Sequence, residues 1–219
     1  MNKIEVGKSI NYGWGKVKKD MWYFVGLSFI YLVLTSFNTY FRNETANFYV
    51  SIFILILSAY LSGGFIKIFL SYYDDKKLAI IEIFKQSKYF WRMLGAQILL
   101  ILIVFFGLLL LVVPGIVWLI KYQFVFSLIV DKDMGVLEAM KKSSEITKGI
   151  KWQLFWFNIV CLGVIILGVL VFGVGIFVAY PVIMLADTFV YRRLLTKLKS
   201  KIILKQSRIK SGLFLCLNV

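Results

Sequence analysis

The chain has 219 residues and a mass of 25.4 kDa, with 60% hydrophobic residues, only 17% charged ones and a mean hydropathy of +0.83. A soluble domain carries roughly 45–50% apolar and about 25% charged residues. This composition therefore points to a bilayer as solvent and excludes disordered, collagen-like and disulfide-scaffold proteins as well as an ordinary cytosolic enzyme. The formal charge is +15, from 26 Lys and Arg against 11 Asp and Glu, and there is no histidine, which removes imidazole acid–base chemistry and His-ligated zinc.

A transmembrane helix needs about 20 mainly apolar residues. In chain order the first two candidates are 21–39 and 48–70. The first begins after a mixed, lysine-bearing stretch without a small-x-small cleavage pattern, so a retained helix is expected rather than a removable signal. The apolar run over 94–130 is broken by Lys121 and by Pro114-Gly115. As one helix it would be roughly 55 Å long, too long for a single crossing. Pro114 and Gly115 are suited to a turn, which predicts spans over 94–113 and 116–130. A fifth span over 155–172 and a sixth over 176–190 flank a second turn at Gly173 and Gly175. Gly163 and Gly168 allow close helix approach.

The basic residues test this layout, because cytoplasmic loops attract Lys and Arg. All of the 26 except Arg42, Lys67 and Lys121 fall before the first span, between spans two and three, between four and five, or after six. Both termini are then cytoplasmic. A five-span reading would place the eight basic residues of the tail outside. Aromatic residues such as Trp22, Tyr73, Trp91, Trp152 and Tyr191 cluster near the inner ends of the proposed spans, where amphipathic rings favour the headgroup zone.

Amphipathic stretches precede each pair of spans. Ile4, Ile10, Trp14, Val17 and Met21 mark one; Leu78, Ile81, Phe84 and Trp91 a second; Val136, Leu137, Met140, Ser144 and Thr147 a weaker third. The predicted fold class is thus all-α: an integral membrane bundle of six transmembrane helices, in three hairpins each preceded by a cytoplasmic amphipathic helix. The units Ile4-Glu5, Ile81-Glu82 and Leu137-Glu138 open alike, which suggests three repeats, although two-repeat and no-repeat readings stay open. Residues 1–195 form the membrane domain and 196–219 a basic cytoplasmic tail.

Recognition begins at Pro114-Gly115-Ile116, followed by Asp131, then Ala139, Ser143, Ile146, Thr147 and Gly149. This resembles uncharacterised bacterial multipass membrane families with a PGI…D…A-x-x-x-S-x-x-[LI]-T-x-G pattern, and is similar to the membrane domain ahead of some glycerophosphodiester phosphodiesterases. The opening Gly7-Lys8-Ser9-Ile10-Asn11-Tyr12-Gly13-Trp14 fits the same families. Ser144 departs from the large aromatic common there, and the tail beyond Thr196 has no counterpart. The resemblance implies a multipass scaffold; the phosphodiesterase activity does not carry over, because its catalytic domain has no room here and its histidines are absent.

Five residues are candidates for function or lipid contact. Lys121 inside a span costs about 2.5–3.5 kcal/mol at the helix centre; it either meets an anion, headgroup or carboxylate, or snorkels to the interface. Asp187, the one acid in a span, is expected to pair with Arg192 or Arg193 at the inner interface. Ser143, Thr147 and Gly149 have the look of a phosphate cradle, but describe a helix end more simply, with Gly149 in the left-handed region. Asp131 and Asp133 suit the N-terminal end of that helix. Cys161 and Cys216 lack the neighbours of a metal or redox site.

No cofactor or metal is expected. The partners expected are membrane lipids, with anionic headgroups at the cytoplasmic face; a homo-oligomer or a protein partner also fits, and nucleic acid does not. The functional expectation is a non-catalytic scaffold or lipid- or partner-binding component of the cell membrane. A small transporter or channel subunit is the alternative, and a membrane-embedded enzyme lacks converging acid and base groups.

Overall fold

The computed structural model describes residues 5–40, 48–81, 87–110, 112–170 and 175–217. Among them there is no strand, and the helices are α1 (Val6–Lys19), α2 (Met21–Tyr40), α3 (Phe48–Tyr73), α4 (Phe90–Leu110), α5 (Val112–Tyr122), α6 (Val125–Lys132), α7 (Val136–Ile146), α8 (Lys151–Leu170) and α9 (Ile176–Leu217). Phe90–Leu110, Val113–Lys132 and Lys151–Leu170 are long and apolar enough to cross a membrane, and Met21–Val33 is a shorter apolar helical stretch. Their outer faces are greasy: Leu109 and Leu110 are each 71% exposed and Leu170 73%. In water such a surface is an aggregation hazard; hydrocarbon removes the penalty.

Two packed clusters share α9. Met93, Phe124, Leu128, Leu154, Phe157 and Tyr191 form one, from α4, α6 and the turn before it, α8 and α9. Val17, Phe24, Leu27, Ile68, Phe69, Val182 and Leu185 form the other, from α1, α2, α3 and α9. The α9 helix runs unbroken through residue 196 to Leu217, so no helix end marks the expected border of the tail.

Three expectations need correction. Pro114 and Gly115 do not form a turn: they lie in the first turn of α5, where a missing N–H has no intrahelical partner to lose. Gly115 serves a close approach instead, since a Cβ there would lie 2.7 Å from Leu108 Cδ2, and one at Gly107 would lie 2.6 Å from the Trp118 ring. Gly175 plays the same part against α8, where its own Cβ would strike the Gly168 backbone; Gly173 is outside the described residues. Second, the α1 face that packs coincides only in part with the expected apolar stripe. Val17 of that stripe is buried and Ile10 packs against both clusters, but Ser9 and Gly13 are buried as well while Trp14 is half exposed, because α1 lies close against the α9 backbone at Gly13. The second amphipathic stretch runs into residues 82–86, outside those described; a short 3-10 turn, Ser87–Tyr89, leads directly into α4.

Third, Asp131 and Asp133 do not cap α7, whose N-cap is Gly135. They tie segments together with other carboxylates near the helix ends. Asp133 takes Lys88 and Arg92, Asp20 takes Lys77 and the Tyr72 hydroxyl, and Asp75 takes Lys16. Asp131 accepts from Tyr191 Oη at 3.0 Å and from Arg192. Hydrogen bonds from Lys77, Lys16 and Lys88 hold the carboxyls of Asp20, Asp75 and Asp133 below the ordinary range. A depressed folded pKa contributes stability that is complete above the unfolded value of about 4 and is lost as pH falls through the folded value. The unfolding midpoint in detergent is expected to be insensitive to these groups between pH 7 and about 4 and to drop below that, with a shallower drop in Asp133→Asn.

Trp22, Trp91 and Trp152 hold the second position of α2, α4 and α8 and are exposed at 88%, 77% and 69%. Ser9, Gly13 and Gly15 also stand at the same spacing as Ser143, Thr147 and Gly149. In both sets a residue meets a backbone carbonyl of another helix: Gly13 the Val182 oxygen, Ser143 that of Lys121.

Candidate functional site

The span that should run from 116 to 130 is broken. α5 stops at Tyr122, Gln123 and Phe124 form a turn, and α6 starts at Val125. A break in the helical ladder frees carbonyls, and in hydrocarbon each must find a partner inside the protein. The α7 helix supplies it. Ser143 Oγ donates to the Lys121 carbonyl at 2.8 Å, and Thr147 Oγ1 lies 3.4 Å from the same oxygen and 2.9 Å from the Ser143 carbonyl. Both side chains are fully buried. Gly149, at φ +81°, ends α7 in the left-handed region that disfavours any Cβ. The motif is thus a brace for a broken helix, with no anion-binding geometry. Ser143→Ala combined with Thr147→Val strands the Lys121 carbonyl and is expected to cost about 2–3 kcal/mol, read by thermal unfolding in detergent; Ser143→Ala alone should cost about 1 kcal/mol.

The Lys121 ammonium sits 4.8 Å from the Tyr122 ring centroid, a cation–π contact, and among the described residues no ion pair joins it to a carboxylate. Asp187 also departs from expectation. Arg192 is turned to Asp74 and Asp131, and Arg193 lies over the Phe189 ring. Arg192 follows Asp187 by five helical positions, which places them about 140° apart around the axis, so they leave on different faces.

Asp187 faces a cavity of about 960 Å³ between α2, α3, α4, α5, α6, α8 and α9. Leu100, Val104, Ile120, Phe126 and Met184 form its apolar walls, and Tyr31, Trp118 and Tyr180 add rings. The Tyr31 and Tyr180 rings stack at 4.3 Å between centroids. Polar groups are few and placed in pairs: Gln97 Nε2 donates to Ser58 Oγ at 3.2 Å, and Asn158 Nδ2 to Gln123 Oε1 at 3.0 Å. The Gln123 Nε2 group is buried without a partner. Ile101, Phe105, Leu108 and Leu119 line the cavity and are themselves exposed, so its rim merges with the apolar outer surface. Thr188 spends its hydroxyl on the Met184 carbonyl at 2.8 Å. No group of three or more His, Cys, Asp or Glu able to hold a metal ion occurs among the described residues.

Of the five candidates, then, Asp187 lines the cavity, Ser143 and Thr147 brace the helix break beside it through the Lys121 backbone, and Gly149 ends the bracing helix. The polar cavity residues Gln97, Gln123 and Asn158 escaped the sequence reading, although each is an amide interrupting an apolar run. That interruption was the available signal. No curated protein and no solved structure matches the chain, and the likeness to phosphodiesterase membrane domains finds no support. Over residues 116–198, from within α5 to well into α9, the chain matches the model of a protein family of unknown function, DUF975.

Proposed function

We propose that this chain is a non-catalytic, multi-pass protein of the cell membrane that holds an amphiphilic molecule in the cavity facing Asp187. The observation that carries this reading is the cavity itself: about 960 Å³, apolar-walled, sparingly polar and continuous with a lipid-suited surface. Ligand sites combine mostly apolar walls with a few placed polar groups, in volumes of about 300–1,000 Å³. Six spans with both termini cytoplasmic accommodate the site. The segregated lysines and arginines support that topology, as do the exposed tryptophans at the starts of α2, α4 and α8. The basic excess at that face favours contact with anionic headgroups. Catalysis is not part of the reading, because one carboxylate, two amide–hydroxyl or amide–amide pairs and phenols supply no matched acid and base.

Native mass spectrometry of protein extracted from membranes is expected to show about one retained or re-bound amphiphile. Val104→Trp, which projects a bulky ring into the cavity, is expected to reduce that retention. No bound equivalent, or retention unchanged by Val104→Trp, rejects the reading. A carrier is a second reading, favoured by the ionisable side chain in an intramembrane cavity. It requires flux in reconstituted vesicles that Asp187→Asn abolishes.

A further inference from the structure

The chemistry of the cavity goes further than its size. Resting on the reading just given, we propose that the occupant carries a positive charge: Asp187 receives the head of a cationic amphiphile, an ammonium or quaternary ammonium on an apolar body. Among the described residues, Asp187 is the sole acid that lines the cavity, and no Lys or Arg lines it. The two arginines nearest Asp187 in sequence are committed elsewhere, Arg192 to Asp74 and Asp131 and Arg193 to the Phe189 ring, and the Lys121 ammonium lies over the Tyr122 ring. A carboxylate without a partner in apolar surroundings is costly, and a guest that brings the counter-charge removes that cost. A divalent metal is disfavoured by the single carboxylate, since such ions take six or more oxygen ligands.

The apolar part has a track to follow. Tyr180, Met184 and Asp187 recur at helical spacing on one face of α9 and all line the cavity. From Tyr180 to Asp187 the rise is about 10 Å, which is the reach of a chain of several methylenes. The stacked Tyr31 and Tyr180 rings border this track, and electron-rich faces suit a diffuse cation as well as a hydrocarbon body. The pairs Gln97–Ser58 and Asn158–Gln123 are hydrogen-bonded and Gln123 Nε2 is left as an uncharged donor, so the carboxylate of Asp187 is the group that distinguishes a cationic guest from a neutral one.

The test uses the full-length protein in phosphatidylcholine nanodiscs and two probes of equal chain length, 11-bromoundecyltrimethylammonium and 11-bromoundecanol. Bromine quenches the fluorescence of Trp118, which lines the cavity, and subtracting the same titration of Trp118→Phe, which keeps only the other tryptophans, isolates the Trp118 signal. The cationic probe is expected to half-saturate at a concentration at least tenfold higher in Asp187→Asn than in the unaltered protein, while the alcohol is unaffected. Asp187→Glu, which keeps the charge, should retain most of the preference and guards against a folding artefact in the amide variant. Saturable quenching by both probes with no effect of Asp187→Asn would overturn the cationic assignment and leave the amphiphile cavity standing. Absence of saturable Trp118 quenching by either probe would overturn both.

Discussion

Arg192→Leu is expected to destabilise the protein by about 3 kcal/mol, the largest loss from any single charge in the chain. The Arg192 guanidinium places Nη2 2.6 Å from Asp74 Oδ2 and Nη1 3.0 Å from Asp131 Oδ1, so one side chain on α9 joins the C-terminal ends of α3 and α6. The Arg192 and Asp131 side chains are only 19% and 10% exposed. Removing one partner of a buried pair costs about 3–5 kcal/mol, because the other charge is left without compensation. The lower end applies here: Asp74 is nearly half exposed and can rehydrate, while Asp131 keeps the Tyr191 hydroxyl and Lys132. Arg192→Lys provides one ammonium for two carboxylates and is expected to recover about half of the loss. Arg193→Leu, at an exposed position over Phe189, should cost under about 1 kcal/mol. Thermal unfolding of all three variants in the same detergent decides the matter, and equal losses for Arg192→Leu and Arg193→Leu would refute the bridging role.

Gly13→Leu is expected to detach α1 from α9. A Cβ at Gly13 would fall on the Val182 carbonyl, well inside contact distance, with the Ala186 nitrogen 3.4 Å away. The obstacle is helix backbone, which cannot swing aside as a side-chain tip does. Even Gly13→Ala should cost about 1–3 kcal/mol through overpacking, and the larger side chain more. The helix also carries Lys16, partner of Asp75, and leads to Asp20, partner of Lys77 and Tyr72. Hydrogen exchange over residues 6–19 is therefore expected to rise well before α8 is affected, and Gly15→Ala, whose Cβ meets nothing within 4 Å, should leave it unchanged. If α1 stays protected in Gly13→Leu, the close α1–α9 contact is not what holds it.

Together these variants separate the frame of the protein from its cavity. Arg192, Gly13 and the Ser143–Thr147 brace act on how the helices are held. Asp187 and Val104 act on what the helices enclose, and their substitutions are expected to alter ligand binding with smaller effects on unfolding.

Composition and the length of the apolar runs were enough to read the helical class and the starts of α2, α3 and α9, because solvent preference and span length act residue by residue along one chain. The glycine at the end of α7 was legible for the same reason: positive φ is a local demand, and Gly149 meets it. The break at Gln123–Phe124 was not legible, since no Pro or Gly marks it and its stability comes from hydroxyls that lie 22 and 26 residues beyond Lys121. Pro114-Gly115 misled in the opposite direction. Its residue types suit a turn, yet the close approach of α4 to α5 uses Gly115 as empty space.

The charges divide in the same way. Sequence alone decided that basic residues gather in the segments outside the proposed spans, a matter of counting and order. Only the tertiary structure decided which carboxylate each one meets, and that Asp187 has its neighbouring arginines turned away from it. Direction around a helix and the partner across the gap depend on how α9 packs between two clusters. Pairing at a distance is a property of that packing, whereas greasiness and span length belong to the chain as written.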